Sequence, residues 1–202
     1  MHRLVTPFCL LALLPMLVLA QNAEPKKAGV LVVYFSEKGH TKAMAEAVAK
    51  GAGAVEGAVV TLLDVANAKP EDVLVADAVI VGSPVYKANV APKMQEFINS
   101  WPIKDPRLHD KLGAAFATGS GLSGGEEVVQ TNILQSMLVC QMIVVGGPGG
   151  SQPFGASAMT EEPSDGADAK KPDELVAGHY LKKGEALGKR VAELAVKLKH
   201  AK

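Results

Sequence analysis

The sequence predicts an α/β protein of three layers, in which helices cover both faces of a doubly wound, parallel sheet of five strands in the order 2-1-3-4-5. Short apolar runs alternate with helical patterns along most of the chain. This alternation implies right-handed crossovers and parallel strands. The length of 202 residues is enough for one domain with a full core.

The predicted elements follow from local patterns. Residues 29–35, GVLVVYF, form an unbroken apolar run, as expected of a strand buried on both faces. Residues 41–51 place Met44, Ala47 and Val48 on one side at helical spacing. The other predicted strands are 58–63, 77–82, 112–118 and 140–145, and the other predicted helices are 91–100, 126–138 and an amphipathic 173–200 through Leu175, Leu187, Val191, Leu194 and Leu198.

The first twenty residues have the pattern of a secretory signal peptide. A short positive start precedes the apolar run from Phe8 to Ala20, and Val18 and Ala20 suit a cleavage site before Gln21. The alternative, an uncleaved anchor, fits less well because the run is short for a bilayer. We therefore expect a signal peptide at 1–20, a flexible lead-in at 21–28, a folded domain at 29–200, and export to the periplasm.

Charge and cysteine content exclude several classes. Lys plus Arg and Asp plus Glu both number 21, which gives no electrostatic case for nucleic acid or for a membrane after signal removal. Removal of residues 1–20 leaves Cys140 as the only thiol, which we expect to be a small core residue in a buried strand. The scattered His109, His179 and His200 lack metal-ligand spacing, so no metal site is predicted.

Three loops of the predicted sheet have the composition of binding loops. SEKGHT follows the first strand, GSPVYKAN the third and ATGSGLSGG the fourth, whereas DVANAKP after the second lacks this character. In the predicted order the first, third and fourth strands are neighbours, and ligands bind beyond the carboxyl ends of such strands. The sequence therefore predicts one crevice formed by these three loops.

The first of these loops suits an anion. A turn that leads into a helix presents unpaired N–H groups at the positive end of the helix dipole, where phosphate binds. Ser36 and Thr41 add hydroxyls, His40 a ring N–H, and Gly39 lets the backbone curl closely. A plain helix cap made by Ser36 or Thr41 is the alternative.

The third loop contains a G-x-G-x-x-G match at Gly119–Gly124. The dinucleotide fingerprint also requires an acidic residue about 20 residues later and normally follows the first strand. The next strand ends instead in VVGGPGG. A loop passing close to a flat ligand fits these glycines better than a Rossmann nucleotide site.

The three loops resemble those of the flavodoxin-like superfamily, and most closely those of the tryptophan-repressor-binding-protein-like NAD(P)H:quinone oxidoreductases. SEKGHT is similar to the family's Ser-x-x-Gly-His-x loop, which grips the phosphate of FMN. GSPVYKAN resembles its isoalloxazine loop, with Ala88 where Gly is frequent, and PFGAS at 153–157 resembles its Pro-Tyr-Gly-Ala segment. The resemblance covers residues 29–200 and implies FMN as cofactor, with NAD(P)H and quinone-type molecules as partners.

The resemblance implies specific roles for site residues. Tyr86 offers a flat face to the flavin ring, unless it packs on its own turn; Asn89 offers a bond to the pyrimidine edge; Thr118 and the following N–H groups face flavin carbonyls or ribityl hydroxyls. No catalytic side chain is predicted, because the flavin carries the hydride or electron. The predicted cofactor-binding residues are Ser36, Lys38, Gly39, His40, Thr41, Ser83, Pro84, Val85, Tyr86, Asn89, Thr118, Gly119, Ser120 and Gly121.

Two departures from the family leave the function open. Val139-Cys140-Gln141 stands where the quinone reductases carry a His pair beside a neighbouring subunit's flavin, and an Arg usual in the second loop is replaced. Three functions remain: an FMN-dependent NAD(P)H:quinone oxidoreductase, a flavodoxin-like electron carrier, or a flavin-binding fold without turnover. Export favours the last two, whereas the near-neutral charge argues against a carrier. A homodimer or homotetramer is expected.

Overall fold

The computed structural model describes residues 27–121, 123–161 and 175–201. The predicted signal peptide and the segment 162–174 lie outside these residues, as does most of the lead-in. The main sheet contains β1 (Ala28–Tyr34), β2 (Ala58–Asp64), β3 (Ala78–Tyr86), β5 (Leu112–Gly119) and β6 (Ile143–Val144) in the order β2-β1-β3-β5-β6, all parallel. The predicted fold class and strand order are confirmed.

Helices cover the sheet on both faces. Alternate residues of β1 enter two separate cores. Leu31 and Val33 pack towards the helices at Pro92–Asn99 and Glu126–Val139, whereas Val30 and Val32 pack towards those at His40–Gly53 and Gly178–His200. The continuous apolar run of β1 is therefore buried on both sides. The helices are α1 (His40–Gly53), α2 (Pro70–Val75), α3 (Pro92–Asn99), α4 (Glu126–Val139) and α5 (Gly178–His200), with a short 3₁₀ helix at Pro106–Leu108.

The sequence did not predict α2. Its six residues are too few to show helical periodicity, but its start has a recognisable chemistry. Pro70 lies in the first turn, and the Asp72 carboxylate accepts a hydrogen bond from the Lys69 N–H at 2.7 Å. No helix described here is long and apolar enough to cross a membrane.

The predicted strand at 140–145 is wrong in its extent. Cys140 caps the C-terminus of α4, and Gln141 turns the chain with φ 59°, so only Ile143 and Val144 pair with β5. The edge position is completed by an unpredicted strand, β7 (Ala156–Met159), which pairs with β5 from Phe116 to Gly119. The Gly- and Pro-rich residues between the two short strands break what would be a single edge strand. Cys140 is nevertheless buried, as expected.

The second predicted loop is mostly strand. Strand β3 continues through Tyr86 and turns back into β4 (Asn89–Val90) in a tight antiparallel hairpin. Lys87 and Ala88 occupy the turn with φ of 52° and 60°. Positive φ at both central residues is the geometry of two-residue hairpin turns, which favour Gly or Asn because other side chains are strained there. Neither residue signals such a turn, so the sequence pattern did not reveal it.

The last helix is shorter than predicted. It begins at Gly178, and Leu175 precedes it in a non-helical, exposed position. Leu187 and Val191 are fully buried, whereas Leu198 is exposed near the C-terminal end. The apolar stripe that predicts this helix therefore faces the core only over its central turns.

Helices α1 and α5 pack with their backbones in contact. A Cβ added to Gly188 would overlap the carbonyl oxygen of Val48, and one added to Gly51 would overlap that of Glu185. Glycine in a helix interior costs about 1 kcal/mol relative to alanine. The close approach explains why these helices keep glycine, and it fixes α1, whose first turn faces the predicted binding crevice.

We predict that Gly188→Ala lowers the free energy of unfolding by about 1–3 kcal/mol, because the added methyl group forces α1 and α5 apart. The matched control is Gly53→Ala at the exposed end of α1, where an added Cβ meets nothing closer than Val60 Cγ2 at 3.9 Å. The control should be neutral or stabilise by up to about 1 kcal/mol. Urea unfolding measures both, and equal effects would contradict the interpretation.

Candidate functional site

The ends of three neighbouring strands bring the predicted loops together. Strands β1 and β3 are in register up to the Tyr34–Gly82 pair, and the Phe35 N–H donates to the Gly82 carbonyl at 3.1 Å. Strands β3 and β5 are in register up to the Pro84–Thr118 pair. The three segments that follow therefore leave the sheet at one edge, as the sequence predicted.

The first loop turns sharply into α1. Gly39 precedes the helix with φ 89°, and its N–H donates to the Ser36 hydroxyl at 3.1 Å. The first intrahelical bond from this end joins the Ala43 N–H to the Gly39 carbonyl at 2.9 Å. The N–H groups before Ala43 have no carbonyl one turn earlier, as at any helix start. Ser36 thus stabilises the turn before the helix, but neither Ser36 nor Thr41 caps the first helical turn, so the capping alternative is not met. The helix N-terminus faces the cleft, which His40 and Thr41 line.

The three loops enclose one cleft of about 330 Å³. Ten of the fourteen predicted residues line it, and Gly39, Ser83, Asn89 and Gly121 do not. Three further residues line it without having been predicted. The lining consists of Ser36, Glu37, Lys38, His40, Thr41, Pro84, Val85, Tyr86, Thr118, Gly119, Ser120, Thr160 and Glu161.

Two of the predicted polar residues, Ser83 and Asn89, make hydrogen bonds within the second loop and do not line the cleft. The Ser83 hydroxyl is fully buried, donates to the Pro84 carbonyl at 2.8 Å and accepts from the Ala91 N–H at 3.0 Å. The Asn89 amide is exposed and donates to the Lys87 carbonyl at 2.8 Å. Both side chains hold the β3–β4 hairpin in shape. Sequence analysis assigned Ser83 and Asn89 to the ligand because it did not predict the hairpin.

A buried hydrogen bond joins the first and third loops. Thr41 Oγ1 and Thr118 Oγ1 lie 2.8 Å apart, and both residues are almost fully buried. Thr41 belongs to the first turn of α1 and Thr118 to the end of β5. The bond therefore ties the predicted phosphate turn directly to the strand that leads into the glycine-rich loop.

Tyr86 stands between the first and second loops. Its ring packs edge-on against Phe35, with centroids 6.2 Å apart and an interplanar angle of 76°. A hydrogen bond with the Glu37 side chain, with smaller contributions from burial and from the charge of Glu37, raises the pKa of Tyr86 to about 12. Tyr86 therefore packs on the neighbouring loop rather than on its own turn, and it is one of the residues that line the cleft.

The residues that sequence analysis missed belong to two segments. Glu37 lies within SEKGHT, and its contact with Tyr86 depends on a loop pairing that no local pattern shows. Thr160 and Glu161 follow β7, where their N–H groups donate to the carbonyls of Gly119 and Ser120 at 2.8 and 2.9 Å. They could have been found only through β7, whose four residues carry too weak a strand signal.

The fold and cleft define a class: a doubly wound α/β protein whose ligand lies at the carboxyl ends of the central strands. A family model described as "Flavodoxin domain" matches residues 31–146, more than half of the chain. The chain belongs to the flavodoxin family. The resemblance stated from the three loops is thereby confirmed, and membership of this family implies a flavin cofactor.

Curated relatives and solved structures agree with this assignment. The chain is 30% identical over 206 residues to "NAD(P)H dehydrogenase (quinone)" of Chromohalobacter salexigens, covering 84% of this chain and 98% of that one. It is 38% identical over 122 residues to "Flavodoxin" of Aquifex aeolicus, covering 58% of this chain and 64% of that one. The WrbA-like flavodoxin structure from Agrobacterium tumefaciens, 23% identical, superposes with a TM-score of 0.61 over 85% of this chain and 99% of that chain.

The residues that line the cleft fit FMN by their chemistry. The lining includes the N-terminus of α1 and the hydroxyl of Ser36, which are donors suited to a phosphate. The other elements supply the aromatic ring of Tyr86 and the backbone of Gly119, where no side chain separates the wall from a flat ring. A ligand with a phosphate and an aromatic ring system uses both kinds of surface.

We predict non-additive effects for the threonine pair. Thr41→Val or Thr118→Val alone leaves one buried hydroxyl without its partner and lowers the free energy of unfolding by about 1–3 kcal/mol. The double variant removes both hydroxyls while keeping their shape and should cost less than the sum of the single variants. Urea unfolding of the flavin-free protein provides the cycle. Strict additivity would mean that the two hydroxyls do not interact.

Proposed function

We propose that this protein is an FMN-dependent oxidoreductase that transfers electrons from NAD(P)H to a quinone or a similar acceptor. The observation that carries the proposal is the single cleft in which the α1 N-terminus, the Tyr86 ring and the Gly119 backbone meet. The relative named NAD(P)H dehydrogenase (quinone), which is 30% identical over nearly its whole length, supports the enzyme class.

The proposed roles of the residues follow from their positions. The turn at Ser36–Thr41 binds the phosphate through its N–H groups and the Ser36 hydroxyl, with the positive end of the α1 dipole behind it. Tyr86 supports the ring system by aromatic contact. The Gly119 and Ser120 backbone forms another part of the wall, held by hydrogen bonds from the N–H groups of Thr160 and Glu161. FMN when bound supplies the redox chemistry, so the protein needs only to bind it, orient it and limit water.

An electron carrier without a substrate of its own is the second candidate. It is favoured by the 38% identity to the Aquifex flavodoxin and by Val139-Cys140-Gln141 at the place of the family's His pair.

We also propose that residues 1–20 direct export to the periplasm, where NAD(P)H is scarce. The exposed apolar side chains of Leu138, Val139 and Ile143 support a homo-oligomer, a dimer or a tetramer.

The function test is flavin uptake followed by reduction. Mature protein, beginning at Gln21, should bind FMN and quench its fluorescence. Rapid mixing with NADH or NADPH should bleach the flavin absorption band, and a quinone should restore it. Bleaching by a chemical reductant but by neither nucleotide would favour the electron carrier. Protein that takes up no FMN would contradict both candidates.

Ser36→Asp tests the position of the phosphate. The new carboxylate lies at the proposed anion site, and like charges at close range repel. We expect FMN affinity to fall at least about tenfold, which is about 1.4 kcal/mol, whereas riboflavin affinity should change little because riboflavin has no phosphate. Ser151→Asp, at an exposed serine outside the cleft, controls for net charge. Equal losses for FMN and riboflavin would place the phosphate elsewhere.

A further inference from the structure

Glu126 is a buried acid immediately behind the cleft wall. It is the first residue of α4 and is only 9% exposed. Its Oε1 atom is buried and accepts no hydrogen bond, and no ion pair to Glu126 is found within the described part of the chain. A buried oxygen without a partner costs free energy, and such a group in a native protein calls for a specific explanation.

The Oε1 atom of Glu126 lies beside the wall of the cleft. A Cβ added to Gly119 would overlap this oxygen, and one added to Gly124 would lie 3.3 Å from it. The carboxylate therefore fills the inside of the glycine-rich third loop. Gly119 itself lines the cleft, so only a glycine backbone separates the charge from the proposed flavin site.

The helix dipole alone does not explain the burial. A carboxylate in the first turn of a helix is stabilised by the positive N-terminus. Glu127, the next residue in the same turn, has this benefit while exposed to water. Burial therefore costs Glu126 its hydration. It gains no dipole stabilisation in return that the exposed Glu127 does not also have.

We propose that the Glu126 carboxylate, which lies behind the third loop, lowers the midpoint potential of the proposed flavin. The inference rests on the proposed function. Reduction increases the electron density of the flavin ring. A negative charge separated from the ring only by the Gly119 backbone opposes that increase, because like charges at short distance repel. The charge thus favours the oxidised form.

The test is the midpoint potential of FMN-loaded Glu126→Gln, measured by equilibrium titration with a chemical reductant. Loss of the charge should favour the reduced form about tenfold, which is an upward shift of about 30 mV for a two-electron couple. Glu127→Gln removes the same charge from the exposed neighbour and should change the same equilibrium less than about twofold, because solvent screens it.

A second variant keeps the proposal testable if Glu126→Gln does not fold. Glu126→Met removes both the charge and the unpaired oxygen but keeps the length of the side chain, a replacement that is often neutral or stabilising at buried sites. It should shift the potential in the same direction. FMN affinities for the oxidised and reduced forms measure the same quantity by a second method, since the reduced form should gain about tenfold relative to the oxidised form.

The outcomes separate the two proposals. If both Glu126 variants bind oxidised and reduced FMN with equally altered affinity, Glu126 has only a structural role and the inference is overturned. Equal shifts for Glu126→Gln and Glu127→Gln also overturn it, because burial would then not matter. If the wild-type protein binds no FMN, both proposals fail. If it binds FMN that NAD(P)H does not reduce, the enzyme proposal fails while the titration still decides the role of Glu126.

Discussion

Side-by-side parallel pairing of β1, β3 and β5 is the constraint on which the rest of the structure depends. The register continues to Tyr34–Gly82 on one side and to Pro84–Thr118 on the other, so the three loops leave the sheet at one edge. Residues on each strand alternate between two cores. A slip of one residue would exchange the two faces, so burial on both sides fixes the register and hence the cleft.

The packing of helices on both faces of the sheet also fixes the position of the helix that begins at the cleft. Helix α1 is held by backbone contact with α5 at Gly188 and by the Thr41–Thr118 hydrogen bond. These contacts lie at opposite ends of α1 and fix the direction of its N-terminus towards the cleft. A preorganised helix start binds an anion without the cost of ordering its own backbone. The packing of the core thus supports the proposed binding chemistry.

The fold was predictable where the local pattern and the global structure agree. The unbroken apolar run of β1 and the periodicity of α1 identified these two elements to within a few residues. The failures occurred where tertiary contacts override weak local signals: Lys87 and Ala88 adopt positive φ in a hairpin, and β7 completes an edge that β6 leaves after two residues. Most of the cleft was predictable because loop composition and strand order gave the same answer.

Glu126 shows why a site contains more than its lining. Its sequence position is that of an ordinary acid at a helix start, and exposed Glu127 meets that description equally well. Only the folded loop distinguishes the two, because Gly119 and Gly124 leave room for one carboxylate inside the turn. In the proposed flavin complex, the same glycines bring both the backbone and the Glu126 carboxylate close to the ring. Because a glycine-rich wall is thin, a charged residue behind it lies close to the cleft. Bulkier wall residues would increase the distance between that charge and the cleft and weaken its effect.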